Sequence, residues 1–126
     1  MNIQLMNIQM SSKDLFRTTD NFNRPVRLEK ERLYNHIIEK SGHVEMKEDP
    51  FSIERTIQDA DYIHVSSYNT KRDVYFAKGK HKDFPEDYVK VVVDFSDSCG
   101  YVVSAWTVEE VGTSIGVMKY EKSSKT

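Results

Sequence analysis

The stretch 88–106 constrains this chain more than any other. It reads Tyr-Val-Lys-Val-Val-Val-Asp-Phe, then Ser-Asp-Ser-Cys-Gly, then Tyr-Val-Val-Ser-Ala-Trp. Two runs of β-branched and aromatic residues flank a polar patch ending in glycine, the pattern of a hairpin with a longer loop. Side chains alternate across a strand, so Val89, Val91, Val93 and Phe95 fall on one side and Lys90, Val92 and Asp94 on the other. By the same count Tyr101, Val103 and Ala105 share a face, opposite Val102, Ser104 and Trp106. Runs this apolar belong in the middle of a sheet, with one face covered and the other partly so. The hairpin is therefore the expected centre of the sheet, and its second face is where function is to be sought.

The chain before the hairpin supplies the covering layer. Residues 1–23 are polar with scattered Leu15, Phe16 and Phe22, and read as a loosely docked N-terminal arm. Met-Asn-Ile-Gln occurs twice there, at 1–4 and 6–9, too short a repeat for a solenoid. Arg-Pro-Val-Arg-Leu at 24–28 is extended, since proline favours that geometry in itself and its predecessor. A helix is predicted over 29–40, with Leu33, Tyr34, Ile37 and Ile38 as its apolar stripe and Ser41-Gly42 as its stop. His36 lies at the edge of that stripe, aligned with Arg32 and Lys40 four residues to either side. Asp49-Pro50 starts a second helix, whose apolar side is Phe51, Ile53, Ile57 and Ala60 and which ends near Asp61. Strands are predicted over 62–67 and 73–78. After Trp106, residues 108–126 supply a C-terminal edge strand or tail around the weakly apolar run 115–120.

The predicted class is α+β, with N-terminal helices packed on one face of a roughly four-stranded antiparallel sheet. If the helices cover Ile63, Val65, Val74, Phe76 and the hairpin valines, the other face carries Tyr62, His64, Ser66, Tyr75, Lys90, Val92, Asp94, Ser104 and Trp106. Aromatics, hydroxyls, a cation and a histidine together suit a cleft that stacks bases and holds a phosphate.

Composition narrows the function classes. The length of 126 residues is that of one domain with a real core. A net charge of −2 argues against a non-specific nucleic-acid coat. Charge is uneven, however: over 71–82, Lys71, Arg72, Lys78, Lys80 and Lys82 stand against Asp73 alone, a patch able to hold a phosphate. Glu45, Glu48, Asp49 and Glu54 form an acidic stretch that reads as a solvated face and a favourable first helical turn, and is a candidate shield for the basic loop. Cys99 is the only cysteine, which excludes an internal disulfide and a cysteine-based zinc knuckle. No apolar run approaches the ~20 residues of a membrane span. The N-terminus lacks the basic start and apolar core of a secretory signal, so the expected location is the cytoplasm. Gly-rich phosphate loops, nucleophile elbows, zinc-protease motifs and dinucleotide fingerprints are missing, so no metal and no cofactor is expected. His43 and His81 lie in loops without ligand spacing and read as surface histidines.

The order of several short motifs carries a resemblance. Arg-Pro-Val-Arg-Leu is followed by Glu-Arg-Leu-Tyr-Asn-His-Ile-Ile-Glu-Lys, Asp-Ala-Asp-Tyr-Ile-His-Val-Ser-Ser and Lys-Arg-Asp-Val-Tyr-Phe. The two hairpin strands, ending in Gly-Tyr-Val-Val-Ser-Ala-Trp, complete the series. Over residues 20–107 the set resembles a phage-associated branch of the barnase–EndoU–colicin–RelE nuclease superfamily. That resemblance implies helices on an antiparallel sheet of about four strands and RNA cleavage without metal. It also makes His36 the helical histidine of the His-Ile motif, Arg72 the arginine three residues before a strand tyrosine, and Tyr75 that tyrosine. Ser104 stands where the branch often has threonine in a Thr-Ala-aromatic motif, and Lys40 falls near a position that is often arginine. The chain departs at Ser41-Gly42-His43, which replaces a more usual His-Pro.

These readings converge on a small ribonuclease working by acid–base chemistry, a toxin or mobile-element protein. His36, Arg72, Tyr75 and Ser104 are its expected catalytic residues, and Lys40, Ser66, Lys90 and Trp106 its expected substrate contacts. RNA is the expected substrate and an immunity protein or antitoxin the expected partner, with no membrane involved and delivery to another cell as one route of use. The alternative is a catalytically inactive RNA- or protein-binding module on the same fold, which the acidic net charge and the altered 41–43 segment favour.

Overall fold

The computed structural model describes residues 13–112 and 115–123, and the Met-Asn-Ile-Gln repeat lies outside them. In chain order the elements are β1 (Asp14–Thr19), β2 (Pro25–Glu29), α1 (Arg32–Lys40), α2 (Glu45–Glu48) and α3 (Phe51–Gln58). Then come β3 (Tyr62–Ser66), β4 (Arg72–Lys78), β5 (Tyr88–Asp94), β6 (Gly100–Val108) and β7 (Ile115–Glu121). The strands form one seven-stranded sheet in the order β1-β2-β6-β5-β4-β3-β7, with β5 in the middle.

This corrects the expected architecture. The fold is mostly sheet with few and short helices, and the sheet is mixed, not a four-stranded antiparallel layer under N-terminal helices. β2 runs parallel to β6, with Val26 opposite Gly100 and Arg27 opposite Tyr101, while the other pairings are antiparallel. β1 arises inside the segment read as a loose arm, because its backbone pairs with β2 and Phe16 packs into the core. The weakly apolar C-terminal run becomes β7, an edge strand on β3.

The covered face follows from burial. Leu33 and Ile37 of α1, Met46 of α2 and Ile53 and Ile57 of α3 are fully buried against Ile63, Val89, Val91, Val93, Val102 and Ala105. Each such side chain contributes ~1.5–3 kcal/mol on leaving water, so the valine alternation of β5 holds its register firmly. α1 closes with a wide turn, Ser41 N–H donating to His36 O five residues back. Tyr34, expected on its apolar stripe, is 48% exposed.

β4 carries the opposite parity from that expected, and so does the start of β6. Tyr75 is paired with Ile63 and with Val91, so it shares their covered face, and Val74 and Phe76 point outward. Residues 73–77 are all buried, so β4 shows no apolar alternation from which a face could be read. In β6 the register shifts between Val92 and Val93: Ser104 opposes Val92, but Val102 opposes Val93. The extra residue, Val103, is a bulge, so Val102 and Ala105 enter the core together.

His81 is not a surface histidine: it is 1% exposed. Its Nδ1 accepts the Asp83 N–H at 3.1 Å, so Nε2 carries the proton and donates to Glu45 O at 2.7 Å. Asp49 accepts Lys82 N–H at 2.9 Å and Arg55 Nη2 at 2.6 Å, so its carboxylate does not cap α3. The acidic stretch thus sits directly on the 80–82 loop.

Candidate functional site

The outer face of the sheet is organised in cross-strand rows. Lys90 is paired with Trp106 and Phe76, and Val92 with Ser104 and Val74. Arg72 is paired with Asp94 at the next outward position. A groove of about 450 Å³ opens over these residues, and its lining includes His43, Ser66, Arg72, Lys90, Ser104 and Trp106.

His43 reaches the groove through the turn after α1. Gly42 adopts φ +74, which turns the chain, and His43 N–H donates to Ile37 O at 3.0 Å. Two residues on, Glu45 Oε2 accepts the Thr107 N–H at 2.9 Å and the Thr107 hydroxyl at 3.1 Å. That clasp ties the segment to β6 beside Trp106. The His43 ring lies stacked on the Trp106 ring, with centroids 4.8 Å apart and planes within 14°.

Two cations belong to the site. Lys90 Nζ stands 4.7 Å from the Trp106 ring centroid and 5.7 Å from that of Phe76. Burial disfavours its charged form and lowers its pKa. Arg72 Nε donates to Asp94 Oδ2 at 3.0 Å, which orients the guanidinium. Hydrogen bonds from the Ser96 side chain and backbone, and then from Arg72, hold Asp94 down to about 2.

Of the expected site residues, Arg72, Ser104, Ser66, Lys90 and Trp106 come together in this groove. Tyr75 does not. It is fully buried on the covered face, where its hydroxyl donates to Asp20 Oδ2 at 2.5 Å and accepts from Arg24 Nη2 at 3.2 Å. Burial, and then the Asp20 contact, push its pKa well above the ordinary tyrosine value. Arg24 also bonds Asp73 Oδ2 at 2.8 Å and lies 3.9 Å over the Phe95 ring, so this is a packed polar network.

His36 lines a separate shallow depression with Glu31, Arg32, Asn35 and Tyr101. Desolvation, and then the charges of Arg32, Lys40 and His43, lower its pKa. Arg32 Nε donates to Val103 O at 2.8 Å, joining α1 to the bulge that borders the groove. Lys40 is exposed and acts on His36 by its charge without lining the groove. The histidine that the geometry does bring in, His43, carried no periodic signal because it lies in a turn. Its adjacent helix-ending glycine was the one local cue to its orientation.

Among the described residues no three His, Cys, Asp or Glu side chains are grouped to hold a metal ion, and no helix is long and apolar enough to cross a membrane. Compared with known proteins, the chain matches no family model, no curated protein and no solved structure.

Proposed function

We propose that the groove binds single-stranded RNA and cleaves it by metal-independent acid–base chemistry, with His43 in the role that the resemblance assigned to His36. The observation that carries this reading is the convergence of His43, Lys90, Arg72 and Ser104 around Trp106 on one open sheet face. RNA brings its own nucleophile, the 2′-hydroxyl. The protein has to take that proton, stabilise the charge of the phosphorane and protonate the leaving 5′-oxygen. Histidine is the side chain suited to the proton transfers. Arg72 and Lys90 supply positive charge for the phosphate oxygens, Ser104 a hydroxyl donor, and the stacked His43–Trp106 pair a ring surface for a base. Such an enzyme acts in a cytoplasm, and an immunity protein or antitoxin would silence it by covering the groove.

One observation favours the second reading, an RNA-binding module without catalysis. Among the described residues His43 is the one histidine lining the groove, so a two-histidine division of the proton transfers is not available there. Incubation with RNA in EDTA separates the two. Wild type should cleave, and His43→Ala should lower the rate by about 10²–10⁴-fold, whereas His36→Ala should keep most of it. Binding without cleavage by wild type, or undiminished cleavage by His43→Ala, removes the enzyme reading.

A further inference from the structure

Beyond the groove the outer face continues as a row of rings that the chemistry above leaves unused. Cross-strand pairing sets Trp106, Lys90, Phe76 and Tyr62 side by side on β6, β5, β4 and β3. Adjacent strands lie ~4.8 Å apart, so the row runs ~14 Å from Trp106 to Tyr62. Tyr88 stands at the next outward position, its ring 6.5 Å from that of Phe76 and 6.4 Å from that of Tyr62. Phe76 is fully buried beneath them, but Tyr62 and Tyr88 are only half-buried. Packing accounts for Phe76. It does not account for two tyrosine rings left part-open beside lysines.

Tyr62 and Tyr88 border a depression of about 260 Å³ that Lys78, Lys122, Ser123 and Asp61 also line, the Asp61 carboxylate being taken up by the Lys78 backbone N–H at 2.8 Å. Lys78 is paired with Tyr88 across the strands and is exposed, while Lys122 is tied to Asp59 at 3.1 Å. In the cross-strand row Lys90 stands between Trp106 of the groove and the buried Phe76, with its ammonium near both rings. Rings at strand spacing with cations between them match an unpaired strand of nucleotides, whose bases stack while its phosphates meet the lysines. A duplex keeps its bases stacked on each other and gains nothing from such a row.

Resting on the RNA reading of the groove, we infer that Tyr62 and Tyr88 form a second base-stacking subsite. The protein then takes a single strand of at least three nucleotides, with one base against the stacked His43–Trp106 pair and another on the tyrosines. The probe is a series of non-cleavable 2′-O-methyl RNA oligonucleotides of two, four and six residues, with binding read by fluorescence anisotropy. Wild-type affinity should rise by about 5- to 100-fold from the dinucleotide to the tetranucleotide, the worth of one stacked base. Tyr62→Leu and Tyr88→Leu should abolish that rise and leave dinucleotide binding unchanged, and Tyr62→Phe should restore it. Flat length dependence in wild type overturns the subsite while leaving the groove intact. So does an equal loss for dinucleotide and hexanucleotide in the leucine variants. Failure of wild type to bind any of the three overturns the groove reading itself.

Discussion

Replacing Tyr75 by phenylalanine should cost the protein about 2 kcal/mol of stability and leave the proposed RNA cleavage unchanged. The ring stays, so no cavity forms and the loss is that of the hydroxyl alone. That hydroxyl donates to the Asp20 carboxylate at 2.5 Å, and a hydrogen bond to a charged group is worth ~1.5–3 kcal/mol. Asp20 is 4% exposed, so water does not readily replace the lost donor. Its carboxylate still accepts the Phe22 and Arg24 backbone N–H groups and Arg24 Nε, each at 2.9 Å. The charge therefore stays compensated, and the cost remains below the ~3–5 kcal/mol of an orphaned buried ion. Unfolding entropy near ~2.1 cal/mol/K per residue converts ~2 kcal/mol into a Tm drop of ~8 °C for a chain of this length. Burial raises the pKa of Asp20, but the Tyr75 and Arg24 hydrogen bonds outweigh it, so the variant should also bring that pKa upward. Calorimetry gives the Tm, and cleavage in EDTA well below both transitions gives the activity. An unchanged Tm, or a rate that falls while the fold is intact, refutes the reasoning and restores Tyr75 to the site.

Two other outcomes follow from single contacts. Gly116→Val should detach β7, because a Cβ there would lie 2.7 Å from the Val65 carbonyl oxygen, which is backbone and has no room to give. A loss of ~1–3 kcal/mol in urea unfolding is expected, with lost amide protection along β7; unchanged protection would count against the close approach. Asp94 should titrate at about 2 by carboxyl NMR, below its ordinary 3.8. Its folded pKa is depressed, so its contribution to stability is complete above ~4 and is lost as pH falls through ~2. Ser96→Ala and Arg72→Ala should each raise that midpoint, the first only in part because the backbone N–H at position 96 still donates to Asp94 Oδ1 at 2.8 Å.

Much of the candidate groove could be read from residue order, because β5 and the end of β6 alternate cleanly. Lys90, Ser104 and Trp106 face outward as the pattern requires, and Arg72 and Ser66 join them. Tyr75 was misplaced for a physical reason: a strand buried on both sides has no polar face to mark its orientation. His43 was passed over because a turn residue shows no periodicity, and its place depends on Gly42, on the Glu45–Thr107 clasp and on a tryptophan far along the chain.

Local pattern alone was enough for the central hairpin, for two of the three helices and for the outward side chains of β5, since each follows from burial periodicity within a short window, whereas α2 was not foreseen. Long-range packing set the seven-stranded order, the parallel pairing of β2 with β6, the bulge at Val103 and the position of His43 on the groove, with His36 in a separate depression. Apart from the bulge, which lies within the β5–β6 hairpin, those features depend on contacts between residues tens of positions apart. Side-chain pattern fixes the register of a pair once two strands meet, but which strands meet is not recorded in any local stretch of the chain.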